Sequence, residues 1–267
     1  QEIAFSLCKA TTYIENCVER GLEIDDLCDK ISFNFHTKSD FFEEIAKYRA
    51  IKKLWTSLIE NLFHGKLRKN EVFHFNSICE PTNSASTQLE NNLVRFAYQV
   101  MASSLGGAHT ISCRSFDQNF STFNEESLLL ALRTQQILSK ETGISTSEDL
   151  FSGSFFLENL TNQILKGTEN CMQEIEANGG ITLCIERGIV RKWALDSYLN
   201  LKNKIGNVEN AIFGLDKHIG GPEEKDFEVV SSNQEKLEED QIKKLTKIKI
   251  KRDALSVSVA LEKLEEL

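Results

Sequence analysis

The sequence predicts an α/β fold in which short parallel strands alternate with longer amphipathic helices. Three short segments are strand-like, and each precedes a segment whose apolar residues recur with the 3.6-residue period of a helix. This alternation is typical of right-handed β-α units on a parallel sheet. Strand signals stop after the third unit, so the rest of the chain is expected to be helical.

A helix is expected over residues 1–20, with Gly21 placed to end it. Its apolar stripe is predicted to comprise Ile3, Leu7, Tyr13, Ile14 and Val18. The helical pattern starts at Gln1 without a capping residue before it, so we expect the chain to have been cut or processed upstream. A short helical turn is expected from Ile24 to Cys28.

The first β-α unit is predicted from residues 31–36, where apolar and polar residues alternate. Ser32, Asn34 and His36 should therefore share one face of a strand, opposite an apolar face. Asp40 and Glu43 form a D-x-x-E capping box, which predicts the start of the following long helix.

The second and third units repeat this order. Strands are predicted over residues 72–78 and 110–114, and helices over 89–105 and 124–141. The polar face of these strands would carry His74 and Asn76, then Thr110, Ser112 and Arg114.

Helices are predicted over residues 155–177, 181–187 and 189–201, and a charged helix over 234–267. Gly and Pro between His218 and Glu224 break both regular structures. We therefore expect three parts: 1–205 with the β-α units, a linker over 206–233, and a helical extension over 234–267.

Composition excludes several functions. The 267 residues carry a net charge of −9 with the basic residues dispersed, which argues against a nucleic-acid partner. Seven cysteines are scattered without a C-x-x-C pair, so neither a zinc site nor a redox pair is expected. No apolar run approaches the roughly 20 residues that a membrane-spanning helix requires, and we expect no membrane association.

Several segments resemble the catalytic barrel of adenosylcobalamin-dependent acyl-CoA mutases, above all methylmalonyl-CoA mutases, and they occur in the family order. They are QEIAF (1–5), FFEEIAKYRA (41–50), LW (54–55), NNLVR (91–95), GGAHT (106–110), FD (116–117), TQ (134–135), GSFFLENLT (153–161), IEANGG (175–180) and QIKKL (241–245). The resemblance covers nearly the whole chain, although no single segment is decisive.

The resemblance implies a partial (β/α)8 TIM barrel consisting of the last three β-α units, followed by helices and a helical linker. In that family the barrel encloses the acyl-CoA, and a separate domain binds cobalamin through the His of a D-x-H-x-x-G motif. We expect that motif and that domain to be absent from this chain. The strands that carry the family's catalytic His, Tyr and Arg would lie upstream, so no catalytic residue and no metal ligand is assigned here.

The resemblance also assigns acyl-CoA contacts. Ser32 matches a family Ser at the thioester end of CoA, and Lys30 matches an Arg that contacts phosphate. His109 and Thr110 replace a Gln-Ser pair in the CoA channel, and Asn76 replaces a His. For each, the alternative is a structural role: a strand serine, a surface lysine, a residue at a strand start, or polar strand ends facing solvent.

Three departures from the family argue against full catalytic competence. Ile78 replaces a Gln and cannot donate or accept a hydrogen bond. Asn34 replaces an aromatic residue beside the acyl group, and Gln118 replaces a Glu that faces the adenosyl cofactor.

The resemblance therefore implies a fragment or subunit of a mutase that interconverts methylmalonyl-CoA and succinyl-CoA. The alternative is an inactive partner, like the small subunit of two-chain mutases, that stabilises an active chain. A degenerate CoA-binding module without chemistry is a third reading. A partner chain or the remainder of the same chain would complete the barrel. The compartment would be the mitochondrial matrix in a eukaryote and the cytoplasm in a bacterium.

Overall fold

The computed structural model describes residues 1–24, 27, 30–62, 73–79, 89–117, 125–146, 149–204 and 234–265. Contacts between residues divide the chain into a first unit, Gln1–Asp226, and a second unit, Phe227–Leu267. The expected linker over 206–233 lies outside the described residues. The division of the chain into three parts, with a linker over 206–233, therefore stays a prediction.

The first unit is built around a parallel sheet of three described strands in the order β1-β2-β3. The strands are β1 (Phe33–Thr37), β2 (Phe75–Cys79) and β3 (Thr110–Cys113). The α/β class is confirmed, and the unit is part of a (β/α)8-type barrel. Strands β1 and β2 begin later than the alternation predicts, because regular pairing starts only at Phe33 opposite Phe75.

Each strand precedes a helix that packs on the same face of the sheet. Helix α1 (Glu2–Glu19) comes before β1, and α2 (Phe41–Leu62), α3 (Asn91–Leu105) and α4 (Glu125–Glu141) follow β1, β2 and β3. The Asp40 carboxylate accepts a hydrogen bond from the backbone N–H of Glu43 at 3.0 Å, which confirms the predicted cap.

Three further helices complete the first unit: α5 (Phe155–Ala177), α6 (Ile181–Glu186) and α7 (Ile189–Lys204). Ser154 caps α5 by accepting a hydrogen bond from the backbone N–H of Leu157. Helix α5 packs against α1 and α2. It therefore covers the outer side of the helices that flank the sheet.

Aromatic residues dominate the core between the sheet and α2. Phe33, Phe35 and Phe75 from the strands meet Tyr48 and Trp55 of α2, and all five are buried. The Tyr48 and Phe75 rings stack with centroids 4.7 Å apart. Offset stacking adds to the free energy gained by removing this apolar surface from water.

The predicted stripe of α1 is partly wrong. Tyr13 and Val18 are exposed, at 65% and 43% of their full surface, whereas Ala4 and Ala10 are buried. Small alanine side chains allow α1 to pack close to its neighbours, and this moves the buried stripe away from the larger residues. The helical turn after Gly21 is described only at Ile24 and Leu27, which pack against the core.

The second unit contains α8 (Gln234–Lys251) and α9 (Ala254–Glu265). The expectation of one continuous helix is therefore wrong. The Asp253 carboxylate accepts hydrogen bonds from the backbone N–H groups of Leu255 and Ser256, each at 3.2 Å. An Asp that bonds the following backbone in this way starts a new helix instead of continuing the previous one.

Candidate functional site

The two faces of the sheet differ sharply in polarity and exposure. Residues of β1 alternate between buried and exposed along its length. The buried face packs against α2 and α3. The opposite face, which would point into the barrel, carries the exposed Asn34 and the half-buried Asn76 side by side.

Four side chains on this inner face form a connected set, here called the polar ladder: Asn34, Asn76, Thr110 and Ser112. The Asn76 side-chain amide donates to Asn34 Oδ1 at 3.1 Å. Asn76 Oδ1 in turn accepts from Thr110 Oγ1 at 2.9 Å and from Ser112 Oγ at 3.1 Å. Asn76 therefore joins all three strands through hydrogen bonds.

The register of the strands explains the polar ladder. Asn34 lies opposite Asn76, and Asn76 lies opposite Thr110, so the three share one row across the sheet. The next row contains His36, Ile78 and Ser112. Ile78 places an apolar side chain in the middle of that row, between two polar neighbours.

The predicted CoA-contacting residues are brought together only in part. Asn76 and Thr110 belong to the polar ladder. Ser32 and Lys30 are exposed just before β1, and the hydrogen bonds of the polar ladder, as described, do not extend to them. Gln118 lies outside the described residues. Their contacts with CoA remain predictions.

His109 lies at the start of β3 beside a second histidine. The rings of His109 and His74 are 4.4 Å apart between centroids. Partial burial lowers the pKa of His109 below its usual value, and the nearby His74 and Lys52 lower it further. The two histidines and Lys52 of α2 therefore lie close together where β2 and β3 begin.

Behind the sheet lies a hydroxyl cluster: Thr37, Tyr48, Ser77 and Ser103, all fully buried. Thr37 Oγ1 is 2.6 Å from Tyr48 Oη, 2.5 Å from Ser77 Oγ and 2.9 Å from Ser103 Oγ. Ser103 also donates to the carbonyl of Gln99 at 2.8 Å. The cluster links β1, β2, α2 and α3 and supports the strands that carry the polar ladder.

A buried ion pair fixes the end of β1. Lys47 Nζ lies 2.5 Å from Glu44 and 3.3 Å from Glu2, and it donates to the carbonyl of His36 at 2.7 Å. Burial acts to lower the pKa of Lys47, but the interactions with Glu44, Tyr48 and Glu2 together outweigh it, so the pKa is raised and the ammonium stays charged. The sequence offered no signal for this contact beyond the i, i+3 spacing of Glu44 and Lys47.

Comparison with known proteins identifies the source of this arrangement. The family model described as "Methylmalonyl-CoA mutase" matches residues 1–267. The chain belongs to this family. The match includes all three described strands and the helices that pack on them.

Curated relatives support the assignment. The chain is 26% identical to the 2-hydroxyisobutanoyl-CoA mutase large subunit of Aquincola tertiaricarbonis, covering 99% of this chain and 47% of the relative. It is 28% identical to the methylmalonyl-CoA mutase of Rhizobium meliloti and 30% identical to the human mitochondrial enzyme, covering 37% and 35% of their lengths. The chain thus spans less than half the length of these mutases.

At the level of sequence, the expectation that the cobalamin motif is absent is wrong, because Asp216, His218 and Gly221 match the three fixed positions of D-x-H-x-x-G. These residues lie outside the described part of the chain. The described residues that follow, 234–265, form helices and no strand, although an open α/β cofactor domain alternates the two. The absence of the cobalamin domain stays a prediction, and no step through the cofactor is derived from the described residues.

Two kinds of feature are absent from the described residues, a cluster of metal ligands and a membrane-spanning helix. Across the described ranges, no three His, Cys, Asp or Glu side chains gather in a way that could hold a metal ion. None of the described helices is both long and apolar enough to cross a membrane.

Proposed function

We propose that this chain forms one side of the acyl-CoA channel in an acyl-CoA mutase of the methylmalonyl-CoA type. The observation that supports this most directly is the polar ladder, which places amide and hydroxyl groups of three strands on the inner face of the sheet. The mutase would interconvert methylmalonyl-CoA and succinyl-CoA.

The chemistry of the inner face fits a channel better than a packed centre. TIM barrels usually fill their interior with bulky branched side chains. Asn34, Thr110 and Ser112 are smaller and polar, and they remain exposed. Such a face leaves room for the pantetheine arm and supplies hydrogen bonds for its amides.

Other parts of the assembly would supply the rest of the reaction. Adenosylcobalamin generates the radical when bound, and the remainder of the chain or a partner mutase chain would complete the barrel. We assign residues 1–205 to the barrel, 206–233 to a linker and 234–267 to a helical extension. The relatives include mitochondrial and bacterial mutases, so we propose the matrix for a eukaryotic source and the cytoplasm for a bacterial one.

Replacing Asn76 by Leu in the complete mutase assembly tests the channel. This change removes the amide of Asn76 and adds an apolar side chain of similar size. Loss of one or two hydrogen bonds, each worth about 1 kcal/mol, should weaken acyl-CoA binding by roughly 5- to 30-fold. Calorimetric titration with methylmalonyl-CoA measures the change.

The matched control is Asn16→Leu, because Asn16 is exposed on α1 and its side chain donates only to the carbonyl of Thr12 among its described contacts. This variant should bind acyl-CoA as the parent does. Equal binding by the Asn76 and Asn16 variants would contradict the channel assignment.

A second candidate function is that of a non-catalytic partner that stabilises an active mutase chain. Ile78 favours it, because an apolar residue stands in the row between His36 and Ser112 where the family has a Gln. We expect no turnover of methylmalonyl-CoA by this polypeptide alone with added adenosylcobalamin. Detectable succinyl-CoA formation, followed by mass spectrometry, would contradict that expectation.

A further inference from the structure

Helix α8 of the second unit carries exposed apolar residues along one side. Ile242, Leu245 and Ile248 are spaced three residues apart, and residues at this spacing are neighbours on the surface of a helix. Their exposed fractions are 54%, 45% and 61%. These three residues are here called the α8 stripe. Because removal of apolar side chains from water is favourable, the α8 stripe is suited to contact with another helix.

The charges of α8 are divided along its length. Its first half contains four acidic residues beside Lys236, and its second half contains five lysines: Glu235, Glu238, Glu239, Asp240, Lys243, Lys244, Lys247, Lys249 and Lys251. This order suits the helix macrodipole, but the macrodipole does not account for the exposed α8 stripe. A helix with an acidic half and a basic half is also complementary to a second copy that runs in the opposite direction.

An antiparallel pair of α8 helices centred on Leu245 would cover the α8 stripe. With Leu245 of the two copies side by side, Ile242 of each copy lies opposite Ile248 of the other, since both are three residues from the centre. The stripe of one copy therefore covers the stripe of the other along its whole length. A parallel pair in register would also align the stripes, so the apolar residues alone do not set the direction.

The charged residues at the two ends of α8 set the direction. In the antiparallel pair Glu238 lies opposite Arg252, because both are seven residues from the centre, and Lys249 is within one helical turn of that position. A parallel pair in register would instead place each of these charges beside its own copy, and like charges repel. Among the described contacts of the chain, Glu238, Lys249 and Arg252 form no ion pair, whereas Glu239 lies 3.5 Å from Lys243.

We propose that this chain self-associates through an antiparallel pair of α8 helices, in which the α8 stripe is buried and Glu238 of each copy pairs with Lys249 and Arg252 of the other. The occupant of the stripe is a second copy, because one helix supplies both the acidic half and the basic half that the pair requires. The association is weak and depends on concentration, since only three apolar residues of each copy lie at its centre. This inference does not depend on acyl-CoA binding.

Two charge-reversal variants of the full chain test the proposal: Glu238→Lys with Glu239→Lys, and Lys249→Glu with Arg252→Glu. Each variant alone places like charges opposite each other, so several exposed ion pairs become repulsive. The dissociation constant for self-association should therefore rise at least about tenfold. An equimolar mixture of the two variants should associate about as tightly as the parent, because each supplies the charge that the other lacks. Sedimentation velocity over a concentration series measures these constants.

Arg191→Glu with Lys192→Glu on α7 is the matched control, since both residues are exposed and the net charge changes by the same amount as in the Lys249 and Arg252 variant. This control should self-associate as the parent does. Leu245→Asn should weaken self-association without changing the net charge, because it places an amide at the centre of the α8 stripe.

Three outcomes would overturn the proposal. The first is a parent chain that sediments as a single copy throughout the concentration series. The second is self-association that survives both charge reversals, which would place the contact on another surface. The third is a mixture of the two variants that fails to associate although circular dichroism shows both to be as helical as the parent.

Discussion

Removing both Thr37 and Ser77 hydroxyls should cost more stability than the two single changes added together. The hydroxyl cluster contains six oxygen–oxygen contacts, including that of Ser103 with the Gln99 carbonyl. Each hydroxyl has one proton to donate. At most four of these contacts can therefore be hydrogen bonds at one time.

A single change leaves every remaining proton with an acceptor. In Thr37→Val, Tyr48 can donate to Ser77, Ser77 to Ser103 and Ser103 to Gln99. In Ser77→Ala, Tyr48 can donate to Thr37, and Thr37 to Ser103. Each variant thus loses about one hydrogen bond, which costs about 1 kcal/mol.

The double variant removes both described partners of the Tyr48 hydroxyl. A buried donor that is left without an acceptor costs about 1–3 kcal/mol. The expected total is about 3–5 kcal/mol, with a coupling free energy of about 1–3 kcal/mol between the two sites.

Urea unfolding of the four proteins of this cycle, followed by fluorescence of the buried Trp55, measures the coupling. The same cycle in a Tyr48→Phe background is the control, because no hydroxyl is then left without a partner. Additive changes in the Tyr48 background, within about 0.5 kcal/mol, would refute the proton count. Equal coupling in both backgrounds would refute the role of Tyr48.

Two further predictions concern stability. Gly106→Ala should destabilise the fold by about 1–3 kcal/mol, because the added Cβ would lie 2.6 Å from Tyr48 Cδ2. Gly167→Ala in α5 should instead stabilise the fold by about 0.5–1 kcal/mol, because nothing lies within 4 Å of the added Cβ. Calorimetric melting of both variants checks the opposite signs, and a loss at both sites would contradict the packing argument. Burial, and then the nearby Cys79, raises the pKa of Cys113 from 9.0 to about 12. The folded chain therefore holds this proton more tightly than the unfolded chain, and stability should fall as pH rises from 9.0 toward 12. Cys113→Ala should reduce that fall in urea midpoints, and an unchanged slope would exclude Cys113 as its source.

The sequence predicted which side chains share a face but not which ones touch. A period of two places Asn34 on one side of β1, and Asn76 and Thr110 follow from the same rule. The register that aligns these residues depends on strands 34 or more residues apart. No local pattern encodes that pairing, so the polar ladder became visible only in the structure.

The errors have physical causes as well. Hydrophobicity alone favoured Tyr13 and Val18 for the buried side of α1, whereas close packing selected Ala4 and Ala10. Ser77 and Ser103 carry no sequence sign of burial, because serine is usually exposed. They are buried here because their hydroxyls satisfy one another at 2.6 Å.

Lys47 makes the inner face sensitive to residues that never reach it. Its ammonium forms ion pairs with carboxylates from α1 and α2 and donates a hydrogen bond to the His36 carbonyl. The backbone N–H of His36 donates to Glu2 at 3.3 Å. A substitution at Glu2 or Glu44 would remove one ion pair of Lys47 and so loosen the last residues of β1. If the inner face binds acyl-CoA as proposed, variants at these outer positions would weaken that binding without touching the ligand, and they would be easy to mistake for changes that only weaken folding.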